Sequence, residues 1–208
     1  MNNDNTSTSN GLIPGNIVTT PDPRLRARST KVNDFNDPGL KQLITDMIDA
    51  SLLWEKSHPH ELSAAMAAPQ LGINRRVIII RDNLDNKEDD TFTALVNPEV
   101  IKAEGKPVSD YEGCLSVPFI YGLVPRPTKV KIKANLPDGR EVRIKAEDAL
   151  ARTLLHEIDH LNGILFIDHI KDIPEAFFTM NKKGDLVPIK DYTTEVLNNP
   201  SLWGEDVS

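Results

Sequence analysis

The sequence has a single cysteine among 208 residues, which excludes an intramolecular disulfide framework and any CxxC-type zinc or iron–sulfur site. Long apolar runs are also absent. The longest lies around residues 77–80, far short of the roughly 20 residues a membrane helix needs. No arginine precedes Arg24, and the first twenty residues lack an apolar core, so neither a transit peptide nor a signal peptide is expected and the expected location is the cytoplasm. Basic residues are outnumbered, 24 Lys+Arg against 31 Asp+Glu, for a net charge of −7. That balance argues against nucleic acid as a stable partner, because phosphate binding needs clustered Lys and Arg. What the chain does have, 39% apolar and 26% charged residues over this length, suits one globular domain with a sizeable core.

The pattern along the chain predicts an α+β domain. A helix is expected over residues 38–56, with Asp37 as cap, Pro38 in the first position, and Leu40, Leu43, Ile44, Met47 and Ile48 at helical spacing. Residues 57–70 are ambiguous. Residues 76–81 read as a buried strand, residues 82–90 as an acidic, solvated loop, and residues 91–96 as a strand stopped by Asn97-Pro98. The clearest signal is a hairpin: residues 129–134 and 141–144 alternate apolar and charged around Leu136-Pro137-Asp138-Gly139. Its lysines and arginines make a locally basic but polar sheet face, on which contact with RNA is a secondary reading. A second helix is expected over residues 146–162, with Glu147 and Asp148 near its positive end and Gly163 ending it, followed by a short strand over 163–167 and an acidic tail. Antiparallel or mixed strands would pack around that second helix.

On the second helix lies His156-Glu157-Ile158-Asp159-His160. Histidines four apart are neighbours on one helix face and can ligate one metal ion together. At roughly 100° per residue, Leu154, Ile158 and Leu161 fall within about 80° of Leu150 as a core stripe. His156 and His160 fall on a separate face, and Glu157 flanks them, where it can reach a metal-bound water without ligating. With five His and twelve Glu in the chain, chance gives on the order of 0.007 such matches, so the spacing is not accidental. An open tetrahedral site needs a third ligand. Cys114, in Tyr111-Glu112-Gly113-Cys114-Leu115-Ser116, is one candidate and Glu112 a rival, while a lone cysteine also serves as a small buried hydrophobe.

These residues resemble the peptide deformylases. Three ordered motifs carry the resemblance: Ser63-Ala64-Ala65-Met66-Ala67-Ala68-Pro69-Gln70, Glu112-Gly113-Cys114-Leu115-Ser116, and His156-Glu157-Ile158-Asp159-His160. Flanking segments match as well, including Val124-Pro125-Arg126-Pro127, over roughly residues 17–170. The resemblance implies a hydrolase that removes formyl from the initiator methionine of new peptides, with a catalytic domain over residues 16–195, a disordered polar segment over 1–15 and an acidic tail over 196–208. It implies one divalent metal, Fe²⁺ with Ni²⁺, Co²⁺ or Zn²⁺ as alternatives, held by Cys114, His156 and His160. Metal-bound water or hydroxide would attack the formyl carbon, with Glu157 as general base and acid. The Gln70 amide and the Leu115 backbone N–H would stabilise the oxyanion. Ala65, Glu112 and Arg126 are implied at the substrate, Glu112 and Arg126 alternatively as a supporting pair beneath it. The partners implied are formyl-methionyl nascent peptides, with room for a transient ribosome contact. His58, His60 and His169 match no motif and read as surface or loop residues. Asp159 reads either as a hydrogen-bond partner of a ligating histidine or as a solvated residue.

The chain departs from the family pattern at Ser63 and Ala65, where glycines are usual, and at Leu155, where glutamine is frequent. A Cβ at residue 65 could narrow the cleft. These changes leave every ligand and the base in place. Two other readings share the motif: an HExxH endopeptidase, which usually takes His, Glu or Asp as third ligand, and a non-catalytic metal-stabilised relative.

Overall fold

The computed structural model of the chain describes residues 17–58, 61–84, 86 and 88–204. The expectations for residues 1–15 and for His60 lie outside them. In chain order the main elements are α1 (Pro38–Ser57), β1 (Ala65–Ala67), β2 (Val77–Arg81), β3 (Phe92–Glu104), β4 (Val108–Cys114), β5 (Val117–Arg126), β6 (Lys129–Asn135), β7 (Glu141–Glu147), α2 (Asp148–His160), β8 (Phe177–Met180), β9 (Leu186–Pro188) and α3 (Pro200–Trp203). They form an α+β domain with two antiparallel sheets, β1-β2-β3-β6-β7 and β4-β5-β8-β9.

Helix α1 starts where its sequence says: the Asp37 carboxylate accepts from Gly39 N at 2.8 Å, and Pro38 takes the first position, where a missing N–H costs nothing. Leu40, Leu43, Met47 and Ala50 bury its inner face against Val77, Ile79 and Val96 of the first sheet. On the sheet's other face, Ile78, Ile80, Leu95 and Ile132 meet Ala151, Leu154, Ile158 and Leu161 of α2 and its end. Strand β2 is therefore covered on both sides, which is why Val77–Ile80 is an unbroken apolar run instead of an alternating one, closed by a buried Arg81 paired with Glu55. Each such aliphatic side chain contributes about 1.5–3 kcal/mol by leaving water. A further core, with Val117, Val124, Phe166, Ile170 and Phe177, lies under the second sheet.

Several expectations need correction. Strand β3 is not stopped by Asn97-Pro98. It runs on to Glu104 through a bulge, where Asn97 adopts φ 53° and its side chain bonds Val32 N and O at 2.9 and 2.8 Å. A bulge is a place where a sheet accepts proline. Helix α2 begins at Asp148 because Ala146 and Glu147 are still paired with Val130 and Lys129 in the hairpin ladder. Gly163 does end it, at φ 77°, where a Cβ would lie 2.3 Å from the Arg26 carbonyl oxygen. Residues 163–167 are not a strand. Leu165, Phe166 and Ile167 are all buried, and the Asp168 carboxylate accepts from Leu165 N at 2.7 Å, fixing a 3-10 turn over Phe166–His169. Leu150 leaves the core stripe, 40% exposed in the first turn of α2. The tail expected from residue 196 is folded through Gly204: Val196 and Leu202 are buried, and Trp203 Nε1 donates to Val196 O at 2.8 Å. Among the described residues, no helix is long and apolar enough to cross a membrane.

Candidate active site

The two faces of α2 have different neighbours. Ala151, Leu154 and Ile158 lie in the apolar core against the first sheet. His156 and His160, one turn apart with ring centroids 5.0 Å from each other, look toward the end of β4, where Cys114 stands. The β4–β5 ladder slips register between Gly113 and Cys114, and this break turns the chain at Leu115 and Ser116. Gly113 is required there, because a Cβ would come within 2.8 Å of the Tyr121 ring.

The donors converge. One ligand atom each from Cys114, His156 and His160 lies within 4.8 Å of the others, with Cys114 Sγ 3.2 Å from His160 Nε2. His156 turns its Nδ1 to Glu112 Oε2 at 2.8 Å, which leaves Nε2 for the centre. Beside them Glu157 is 4% exposed, and its Oε2 is buried with no hydrogen-bond partner. Burial pushes the Glu157 carboxyl up to about 7, with the charge of His156 opposing and that of Glu112 adding to the rise. The histidines are driven apart. Burial works against a charged His156, but hydrogen bonds to Cys114 and Glu112 outweigh it and raise its pKa. Burial and the neighbouring His156 lower that of His160. A thiol and two imidazoles gathered this closely, with an unpaired buried carboxylate alongside, fit a divalent cation: they offer it three soft and borderline donors and a neighbouring negative charge.

Behind the histidines lies a buried ionic cluster. Arg126 binds Glu112 through two nitrogens at 2.8 and 3.0 Å, Arg152 adds a third bond at 2.7 Å, and Arg126 also reaches Asp159 at 2.5 Å. Burial alone would raise the Glu112 carboxyl, yet Arg126 and His156 hold it well below the ordinary carboxylate range. Glu112 is thus a fixed anion that orients His156.

Gln70 combines two roles. Its Oε1 accepts from Ala67 N at 2.8 Å, tying the loop, while its Nε2 faces Cys114 Sγ at 3.7 Å. Ala65, Gln70, Glu112, Cys114, Leu115, His156 and Glu157 all line one cleft of about 590 Å³. Arg126 does not. It is 5% exposed and committed to Glu112 and Asp159, so the expectation that it touches substrate gives way to the alternative of a pair beneath the site. Ala65 lines the cleft and also packs in the core shared with α2. Asp159 neither orients a ligating histidine nor stands in solvent: it pairs with Arg126 and with His169 Nε2 at 2.7 Å. His169 is an exposed residue, as expected, yet it joins the rim of the cluster through Asp159; His58 is the half-buried loop residue that follows α1, and it lines the cleft stacked on Trp54. Arg152 was not anticipated. Its position one turn before His156 put it on the same helix face, and that spacing was the available signal.

The family model for polypeptide deformylase matches residues 14–176. A curated peptide deformylase from Thermomicrobium roseum is 42% identical over 159 residues, covering 75% of this chain and 85% of its own. Among solved structures, a peptide deformylase from Legionella pneumophila superposes with TM-score 0.65 at 38% identity, covering 76% of this chain and 86% of the other. A class I type b peptide deformylase from Acinetobacter baumannii, solved with Met-Ala-Ser bound, gives TM-score 0.66 at 31% identity, covering 75% and 99%. With that match spanning the cleft, the converging cysteine and histidines and the buried glutamate, the chain belongs to the peptide deformylase family of metal-dependent hydrolases.

Proposed function

We propose that the chain takes formyl-methionyl ends of nascent peptides into this cleft and releases formate, with Cys114, His156 and His160 holding one divalent ion, Fe²⁺ in the first instance and Ni²⁺, Co²⁺ or Zn²⁺ as substitutes. Two imidazoles and a thiolate suit any of these first-row ions. When bound, the ion would polarise the formyl oxygen and lower the pKa of water at its open position. Glu157 is the proton carrier. Its carboxyl is buried and has an unpartnered oxygen beside the three donors, so it can take a proton from the attacking water and deliver it to the departing amine. The Gln70 Nε2–H₂ and the Leu115 backbone N–H are the donors assigned to the developing oxyanion. The tie from Ala67 N to Gln70 Oε1 fixes which end of that amide faces the centre. Glu112, pinned by Arg126 and Arg152, holds His156 in its ligating orientation.

The observation that carries this reading is the convergence of the Cys114, His156 and His160 donors beside an unpaired, buried Glu157. The test is formate release from a formylated Met-peptide by protein purified without oxygen and loaded with Fe²⁺ or Ni²⁺. Formate is expected, in proportion to bound metal. Cleavage at internal peptide bonds without formate would instead favour an endopeptidase. Protein purified without oxygen and assayed for ion content before any loading identifies the native metal.

A further inference from the structure

The β4–β5 ladder pairs Gly113 with Tyr121 and then Cys114 with Val117, so three residues, Pro118, Phe119 and Ile120, are left to arch between those two pairs. Phe119 is the apex. It holds φ 68°, in the left-handed region that glycine tolerates and a bulky side chain does not. Its ring is 80% exposed. The backbone strain costs on the order of 1–3 kcal/mol and the ring gains little burial in return, so folding alone does not explain the residue. Bulges beside active sites commonly re-aim a side chain, and this arch aims an aromatic ring at the cleft that also contains Cys114, His156 and Glu157.

The same cleft is lined by aromatic side chains from two other places in the chain. Trp54 and His58, at the end of α1, stack with centroids 4.0 Å apart and planes at 9°, and His58 Nδ1 is held 2.9 Å from Trp54 O. Tyr121 O–H donates to Glu61 Oε2 at 2.7 Å, tying the segment after α1 to β5 across this end of the cleft. A volume of about 590 Å³ falls in the range that holds a drug-sized ligand, room for residues beyond a terminal formyl-methionine.

We propose that Phe119 is a specificity-determining residue for the part of the peptide that follows the methionine: its ring covers apolar and aromatic side chains there, and the enzyme prefers peptides that carry them. This rests on the deformylase reading. Phe119 touches no reacting group, so its effect falls on substrate choice. The negative face of an aromatic ring offers a carboxylate nothing, so an acidic side chain there would be the least favoured.

The test compares formyl-Met-Phe-Ser, formyl-Met-Ser-Phe, formyl-Met-Ser-Ser and formyl-Met-Ser-Asp on the metal-loaded enzyme. The better Phe peptide is expected to exceed the Ser-Ser peptide by about 5- to 20-fold in kcat/KM, mostly through KM. Phe119→Gly is expected to collapse that ratio toward one while raising Tm, because φ 68° suits glycine. Phe119→Tyr should retain the ratio. Calorimetric binding of the products Met-Phe-Ser and Met-Ser-Ser reads the same preference without turnover. Equal kcat/KM for all four peptides, or a preference that survives Phe119→Gly, overturns the inference. Absence of formate from every peptide on metal-replete protein overturns the deformylase reading beneath it.

Discussion

The β6–β7 hairpin pairs Lys129 with Glu147 through Asn135 with Glu141 in unbroken register, and its outward lysines meet Glu147, Glu104 and Glu99 in exposed ion pairs at 3.1, 3.4 and 3.9 Å. The β4–β5 hairpin breaks register at Gly113/Cys114, arches out at Phe119, and buries Glu112 and Arg126 in a salt bridge at 2.8 Å. The first spends regular backbone on support for α2, and its charges remain in water. The second departs from regularity wherever a residue serves the site: a slip delivers the thiol, a buried anion steers His156, and a strained arch holds an aromatic ring over the cleft. Charge placed in the regular hairpin is close to neutral for stability, whereas charge in the irregular one is coupled to His156 through Glu112.

That contrast can be broken in order of effect. Glu112→Gln removes the anion shared by Arg126, Arg152 and His156, leaving buried guanidinium charge undercompensated. It is expected to cost about 3–5 kcal/mol in urea unfolding and to weaken metal affinity about 10- to 100-fold in competition with a chelator. Gln70→Ala is expected to raise the barrier by about 2.7–4 kcal/mol, read as kcat at full metal occupancy, and Gln70→Glu, which keeps the tie to Ala67, should not restore it.

Glu157 gives a pH signature in the metal-free protein. Its folded pKa, about 7, lies above the ordinary 4.5, so its contribution to stability is present below pH 4.5 and is lost as pH rises through 7. Unfolding curves should therefore show metal-free Glu157→Gln gaining on the parent across that window by roughly 3 kcal/mol. Lys131→Ala, on the regular hairpin, is expected to change stability by less than about 1 kcal/mol and to leave activity unaltered.

The regular half of the molecule was legible because its physics is local. Alternation around Leu136-Pro137-Asp138-Gly139 specifies a hairpin without reference to the rest of the chain, and Asp37-Pro38 specifies a helix start. The histidine pair was legible for a different reason: histidines four apart share one face of a helix whatever surrounds it, and His156 and His160 do so on α2. Strands β4 and β5 were not legible, since the exposed residues of β4 show no alternation and its one buried residue is charged Glu112. Of the ionic cluster only the Glu112–Arg126 pair was legible, as one of two readings; Arg152, Asp159 and His169 join it from α2 and the turn after it, across long separations in sequence. Phe119 could not be read at all, because an apolar residue in a sequence gives no sign of the backbone angle that forces it outward. The bulge in β3 shows the same limit, since Asn97-Pro98 ends a strand by local rules and bends one when Val32 is there to bond Asn97.

The central claim is that Cys114, His156 and His160 hold the ion while Glu157 moves the proton. Formate released per bound metal, measured on parent and Glu157→Gln purified without oxygen, tests it most directly. The account predicts about one ion per chain in both proteins, with formate release at least about a hundredfold slower in the variant. A variant that keeps its ion and releases formate at the parent's rate would contradict it.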